Sequence, residues 1–313
     1  MTHRIVFLDR ATLGVKLRAP AFPHEYVEYQ ETAPGEIVER LADADIAVIN
    51  KVQLRVPTLE RLPKLKLIAV AATGTDCIDK PHCKTHGVAI SNIRNYAVNT
   101  VPEHTLALIF ALRRSLIPYT LDVRAGKWAA IDQFCYFDHP IRDIAGSTLG
   151  LIGFGALGKS VAKRAEALGM KVIATDAFPF PGVVDLDTIL TESDIVSLHC
   201  PLTEQTRNII GAAQLAKMKR HAILINTARG GLVDEHALVA ALKDGTIAGA
   251  GFDVLTVEPP KTGNPLIEAN LPNLIVTPHV AWASHEAMTT LSNQLVDNIE
   301  AWVAGKPQNL VEE

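Results

Sequence analysis

The stretch TLGLIGFGALGKS, residues 148–160, decides the fold. An apolar run ends in Gly153, Gly155 and Gly158, spaced as GxGxxG, and ALGKSVAKRAEAL then continues with a helical period. Such glycines recur by chance and mark tight turns for structural reasons alone, so the surroundings must decide. Here the motif leaves an apolar strand, opens a helix, and is followed by KVIATD, a second strand ending in Asp176. In that setting Gly153 permits the turn, Gly155 lets the backbone approach a pyrophosphate, and Gly158 lets helix and strand pack closely. Ala156 and Leu157 begin a helix whose free N–H groups and partial positive charge favour an anion. Asp176 is placed to accept hydrogen bonds from ribose hydroxyls and to repel a 2′-phosphate, and AFPFPG after it holds no Lys or Arg. The reading is a nucleotide site for NAD(H) in preference to NADP(H). The bland alternative for Asp176 is a solvated strand-end carboxylate.

Outward from this turn, short runs rich in Val, Ile, Leu and Ala alternate with helix-like segments, the signature of parallel strands covered on both faces. The pattern occurs twice. The first series is IVFLD (5–9), YVEY (26–29), IAVIN (46–50), LKLIAVAA (65–72) and VAISN (88–92); the second is TLGLIGF (148–154), KVIATD (171–176), DIVSLHC (194–200), AILINT (222–227), GAGFDV (249–254) and NLIVTPH (273–279). The fold class expected is α/β with two doubly wound parallel-sheet domains. The run NTVPEHTLALIFALRRSL (99–116) reads as one long helix, apolar around most of its circumference and therefore buried on more than one side. RAGKWAAIDQFCYFDHPIRDIAG follows with many aromatics and no period, and reads as an arm that meets another protein surface. SHEAMTTLSNQLVDNIEAWVAG is a final helix stopping at Gly305.

The 313 residues allow two cores, and 48% apolar with 20% charged residues is ordinary globular composition. A net charge of -4 without a basic stretch removes the electrostatic basis for binding nucleic acid or an anionic membrane. The apolar run before Asp9 and Arg10 is only four residues long, too short for a secretory core, and no span is long enough to cross a bilayer. Cys77, Cys83, Cys135 and Cys200 then read as reduced thiols of a cytoplasmic protein. Cys77, His82, Cys83 and His86 lack a paired CxxC spacing and lie in a helix-like segment, so no metal site is expected.

Three polar residues stand just beyond strands of the second series: Arg229 after AILINTA, Glu258 in VLTVEPP, and His279 at the end of NLIVTPH. Strand C-termini of an open parallel sheet face the ligand crevice, so these side chains can converge on the reactive end of the cofactor. A dehydrogenase of 2-hydroxy acids needs a cation for the substrate carboxylate, an acid/base for the hydroxyl proton, and a group that orients it. The planar fork of Arg suits the first, imidazole the second, and a carboxylate on the other ring nitrogen the third. Taken singly, a strand-end His is more often structural, and an Arg beside glycines is usually solvated.

These blocks together carry a resemblance. TLGLIGFGALGKSVA, LHCPLTEQTRNIIG, MKRHAILINTARGGLVDEHALVAALKDGTIAGAGFDVLTVEPP and TPHVAW resemble the D-isomer-specific 2-hydroxyacid dehydrogenases, over essentially the whole chain. QFCYFDHPIRDIAG, and NKV (50–52) paired with PHVAWAS, look most like the glycerate dehydrogenase or hydroxypyruvate reductase branch. The resemblance implies that Arg229 binds the substrate carboxylate, that His279 exchanges the proton, and that Glu258 orients it. It implies that Asp253 contacts the nicotinamide carboxamide, that Cys200, Pro201 and Thr203 line the adenosine or pyrophosphate side, and that Thr227, Ala228 and Thr100, with Asn99 beside it, lie near the cofactor. Thr73 and Gly74 in AATGT would offer amides to the substrate, Lys51 a second cation, and Trp282 a pocket wall; plain packing is the alternative for Trp282, and solvation for Lys51. AATGTDC departs from the commoner Gly-rich loop, leaving substrate size open.

The resemblance also implies a flavodoxin-like substrate domain, 1–98 plus 284–313, and a Rossmann NAD-binding domain, 99–283. Closure of the two about a hinge and a homodimer paired through the NAD-binding domain are expected with it. The expected activity interconverts a small 2-keto acid and its D-2-hydroxy acid, hydroxypyruvate/D-glycerate or glyoxylate/glycolate. An NADH-sensing corepressor-like binding protein, or a phosphite or formate dehydrogenase, would share the fold and much of the residue pattern.

Overall fold

The computed structural model describes residues 2–311, and the chain forms two units: one runs to Tyr96 and resumes at Ala283, the other is Ala97–Trp282. Among the described residues each unit carries one parallel sheet with helices around it.

In the first unit β1 (His3–Phe7), β2 (His24–Glu28), β3 (Ile46–Ile49), β4 (Leu67–Val70) and β5 (Ala89–Ser91) lie in the order β2-β1-β3-β4-β5, the flavodoxin-like arrangement. Every residue of β3 and β4 is buried, which is why IAVI and LIAV show no alternation: both faces are covered. The stretch around His82 is a short helix, Lys80–Thr85, capped by the Asp79 carboxylate, which accepts from the His82 amide at 3.0 Å. Among the described residues no group of three or more His, Cys, Asp or Glu could hold a metal ion. The last helix, His285–Val303, starts at Ser284, whose Oγ accepts from the Ala287 amide, and gives way at Gly305, in the left-handed region at φ 72°. Among the described residues no helix is long and apolar enough to cross a membrane.

The second unit holds β6 (Thr148–Ile152), β7 (Lys171–Thr175), β8 (Ile195–Leu198), β9 (Ile223–Asn226), β10 (Gly249–Phe252) and β11 (Leu274–Val276), ordered β11-β10-β9-β8-β6-β7. Outside β7, Val183 makes a single parallel bridge to Ala174. This is the Rossmann order with its outermost strand cut to one bridge. Pro179 and Pro181 in AFPFPG lack the amide donors that a longer ladder needs. The chain direction across the sheet reverses between β6 and β8, and the C-terminal ends of those strands are where such a sheet binds its ligand.

The long helix expected over 99–116 is two helices. Thr100–Arg113 ends where Ser115 takes a left-handed conformation (φ 49°), and Leu116–Arg124 follows. Ser115 Oγ donates to the Pro140 carbonyl at 2.6 Å, a side-chain bond that competes with helical continuation. The first helix buries Val101, Thr105, Leu108 and Ile109, while Phe110 remains exposed.

One ion cluster pins the N-terminal ends of β6, β8 and β9. Asp194, 17% exposed, accepts from the Thr148 amide (2.8 Å), His221 Nε2 (2.7 Å) and Lys219 Nζ (3.0 Å). Burial alone would raise its pKa, but these donors and the lysine charge bring it down to about 2. The folded value lies below the unfolded one, so the stabilisation is present above the usual carboxylate pKa and is lost as pH falls through the folded value. At about 1.4 kcal/mol per pH unit it is worth about 2 kcal/mol at neutral pH. Asp194→Asn should lose about that much unfolding free energy at pH 7 in denaturant titration. The gap to wild type should close as pH falls from about 4 to 2; a gap independent of pH would contradict this account.

Candidate active site

The glycine turn joins β6 to the helix Ala156–Ala167. Gly153 sits at φ 100°, and a Cβ there would lie 2.6 Å from the Cys200 amide nitrogen and from the His199 carbonyl carbon. Only glycine has both the conformation and the clearance. A Cβ on Gly158 would lie 2.3 Å from the Gly153 carbonyl oxygen, so this glycine lets the helix close on the turn. Gly155 is different: a Cβ there would meet nothing within 4 Å. It is the N-cap of the helix, makes no side-chain cap, and is exposed together with Ala156, with Leu157 half-buried behind them. Open space before uncapped helix amides fits a pyrophosphate, so the residues present suit a dinucleotide.

Asp176 completes that side. Its Oδ2 accepts from the Phe154 amide at 2.5 Å and its Oδ1 from the Phe178 amide at 3.0 Å. Partial burial opposes ionisation, but the amides of Phe154, Phe178 and Ala177, with the Lys159 charge, hold the carboxyl below its ordinary range. The carboxylate is thus ionised and aimed by the same turn that carries the glycines. Phe154 stacks on Phe180, ring centroids 4.7 Å apart. Beyond β8, Cys200 is half-buried, its thiol pushed up to about 11 by burial. Pro201 and Thr203 are exposed, and Thr206 Oγ1 knits them together, donating to the Pro201 carbonyl and accepting from the Thr203 amide, each at 2.7 Å.

Arg229, Glu258 and His279 follow β9, β10 and β11, three neighbouring strands, at their C-terminal ends. His279 Nδ1 is 2.6 Å from Glu258 Oε2, and Glu258 Oε1 accepts from the Leu255 amide at 2.7 Å. The carboxylate therefore holds the imidazole with one oxygen and its own loop with the other. An ionised carboxylate accepts only, so Nδ1 carries the hydrogen, and Nε2 is the nitrogen that can exchange a proton. Half-buried Arg229 leaves β9 through a turn built by Asn226, which is fully buried. The Asn226 amide donates to the Arg229 carbonyl at 2.9 Å, and its Oδ1 accepts from the Ala228 amide at 3.1 Å. Gly230 then passes against the β10 loop with no room for a side chain.

His279 itself is at φ 55°, unusual for a residue with a Cβ. Trp282 donates its indole N–H to the His279 carbonyl at 3.0 Å, and Thr100 Oγ1 donates to the Ala281 carbonyl at 3.0 Å. Asp253, expected to meet the nicotinamide carboxamide, lies beneath this turn and not at its surface. It is 1% exposed; Oδ1 accepts from the Thr277 hydroxyl (2.5 Å) and Val280 amide (3.0 Å), and Oδ2 from the Ala281 amide (2.7 Å). The hydroxyl of Thr227 is likewise turned inward, 3.0 Å from that of the buried Thr105.

In the first unit Lys51 and Thr73 are exposed and Gly74 is half-buried. The backbone of Lys51 is fixed by Asp9, a buried carboxylate that accepts from the amides of Asn50, Lys51 and Val52. Burial, opposed by those amides, leaves the Asp9 pKa raised. Thr73 Oγ1 donates to the Ile93 carbonyl at 2.7 Å. Asp9, Asn226 and Gly230 shape the backbone around these residues and do not stand out in the sequence by type; Asp9 and Asn226 both end apolar strands, a signal already used for Asp176.

The family model of the D-isomer specific 2-hydroxyacid dehydrogenase NAD binding domain matches residues 106–281. The chain is 68% identical to a glycerate dehydrogenase of Methylorubrum extorquens, over 100% of both chains. It is 37% identical to a hydroxypyruvate reductase of Blautia hydrogenotrophica, over 88% of this chain and 87% of that one. A crystal structure of D-lactate dehydrogenase from Aquifex aeolicus, complexed with NAD and lactic acid, superposes with a TM-score of 0.81 at 28% identity, over 96% of each chain.

Proposed function

Because this chain belongs to the D-isomer specific 2-hydroxyacid dehydrogenases, and is an oxidoreductase with an NAD-binding domain, we propose that it interconverts a small 2-keto acid and its D-2-hydroxy acid. Hydroxypyruvate/D-glycerate is the leading pair and glyoxylate/glycolate the next, in keeping with the names of its relatives. The observation that carries the reading is the 2.6 Å pairing of His279 with Glu258, one strand from Arg229.

NAD(H), held by the glycine turn and Asp176, would supply or accept the hydride at the substrate 2-carbon. Arg229 holds the substrate carboxylate and draws electron density from the keto oxygen. His279 Nε2 gives a proton to that oxygen during reduction and takes one from the hydroxyl during oxidation. Glu258 keeps the ring in the tautomer this requires and stabilises the imidazolium of the oxidative direction. Gly155, Ala156 and Leu157 would present helix amides to the pyrophosphate, and Asp176 would meet the ribose hydroxyls. Cys200, Pro201 and Thr203 would line the adenosine or pyrophosphate side, and Thr227, Ala228 and Thr100 would lie against the cofactor. Asp253, which holds the turn that carries His279, would contact the nicotinamide carboxamide, as the resemblance implies. Thr73, Gly74 and Trp282 are proposed substrate contacts on the resemblance, and Lys51 as a second cation at the end of a strand.

The ionised Asp176, with no basic residue in AFPFPG, supports NAD(H) over NADP(H) through repulsion of a 2′-phosphate. The exposed Leu116, Leu121, Trp128, Phe134 (88%) and Phe137 (81%) support a homodimer paired through this unit, since such a surface is costly to leave in water. The test is NADH absorbance with hydroxypyruvate, glyoxylate and pyruvate, repeated with NADPH, on material whose mass is measured by sedimentation. Turnover of hydroxypyruvate, kcat/KM at least about ten-fold higher with NADH, and a mass of two chains are expected. Inertness towards all three acids would refute the activity, equal use of both coenzymes the preference, and a single-chain mass the dimer.

A further inference from the structure

We propose that His104 is a positioning residue for His279, acting through Thr277 and Asp253; this rests on the functional reading above, in which His279 exchanges the proton. His104 lies in the first turns of the helix Thr100–Arg113, half-buried, with Nε2 3.0 Å from Thr277 Oγ1 and 3.7 Å from Asp253 Oδ1.

The directions of these bonds follow from counting hydrogens. Thr277 has one hydroxyl hydrogen, and its 2.5 Å approach to Asp253 Oδ1 gives that hydrogen to the carboxylate, an acceptor only. At the Thr277–His104 contact the hydroxyl oxygen must therefore accept, and His104 must carry its hydrogen on Nε2. His104 thus saturates Thr277 and keeps it turned towards Asp253. The competing acceptor for the hydroxyl is the Phe252 carbonyl at 3.5 Å.

Asp253 in turn grips both amides that follow His279, those of Val280 and Ala281. The His279 amide donates to the Thr277 carbonyl at 3.0 Å. Thr277 and Asp253 therefore bracket a residue whose left-handed backbone persists only while its surroundings impose it. The imidazole reaches Glu258 from that backbone, so a donor on the helix governs the aim of a ring on the loop after β11. Neither the substrate nor the coenzyme needs to touch His104 for this to hold.

The experiment compares His104→Phe, which removes the donor, with His104→Gln, which restores one. Steady-state kinetics with NADH are measured beside hydrogen exchange of individual amides without coenzyme. His104→Phe should lower kcat about ten-fold with KM for NADH within about two-fold of wild type. Its Val280 and Ala281 amides should exchange at least about ten-fold faster, while those of β8 keep their rates. His104→Gln should recover most of both losses. Wild-type kcat and exchange in His104→Phe would overturn the proposal. So would faster exchange throughout the unit without rescue by glutamine, which would mark His104 as a packing residue. If the wild-type enzyme reduced no 2-keto acid, the functional reading would fall, and the exchange arm would still decide whether His104 holds the turn.

Discussion

Replacing His279 by glutamine is expected to lower kcat by about a thousand-fold, inside the usual range for loss of a general acid/base, with KM for NADH little changed. Glutamine keeps hydrogen-bonding capacity near Glu258 but has no group that exchanges a proton near neutral pH. Glu258→Gln should cost about a hundred-fold or more, approaching the loss at His279, because an amide whose one oxygen is held by the Leu255 N–H turns its own N–H towards Nδ1 and favours the wrong tautomer. The 2.6 Å contact makes the two residues one unit, so the double variant should be no slower than His279→Gln within about two-fold. Additive losses would mean that Glu258 serves catalysis by a route other than His279. A His279→Gln enzyme retaining kcat within about three-fold of wild type would remove the proposed acid/base altogether.

What the sequence discloses and what it hides both have physical causes. Strands such as IAVI and ILIN were legible because burial on both faces demands unbroken apolar residues, and the alternation with helices then implies parallel pairing. Gly153, Gly158 and Asp176 were legible because one turn carries out several geometric tasks at fixed spacing. Ser115 was not, since a serine within a helical run does not announce a left-handed residue. The strand read to His279 stops at Val276, because the chain there turns: Pro278 has no amide and His279 is left-handed. GFDV placed Asp253 at a strand end, but its partners Val280 and Ala281 lie 27 and 28 residues on. No local pattern distinguishes a carboxylate under a turn from one facing a ligand. His104 meets Thr277 across 173 residues, and helical period reports which face is buried, not what a polar residue on it touches.

Gly230→Ala should disable the enzyme almost as thoroughly as loss of His279, though alanine adds one methyl group and removes nothing. A Cβ at Gly230 would stand 1.8 Å from the Leu255 carbonyl oxygen, 2.1 Å from its carbon and 2.6 Å from the Thr256 nitrogen. All three atoms are backbone, so no side chain can swing aside. The loops after β9 and β10 must separate. Each is anchored close by: Leu255 N–H donates to Glu258 Oε1, Thr256 N–H to Glu235 Oε1 at 2.8 Å, and Asn226 holds the Arg229 carbonyl. Separation therefore draws Glu258 and Arg229 apart, and with them the proposed proton-exchange and carboxylate-binding groups. Overpacking of this kind costs about 1–3 kcal/mol, which in a unit of this size lowers the melting temperature by about 2–12 °C. Misplacement of reacting groups by about 1 Å can cost about a hundred-fold, so kcat/KM should fall by at least that factor in protein that is still folded. Circular dichroism on heating and steady-state kinetics below the transition separate the two effects. Native-like melting with unimpaired turnover would show that the loops have slack, and that Gly230 does not set the distance between Arg229 and Glu258.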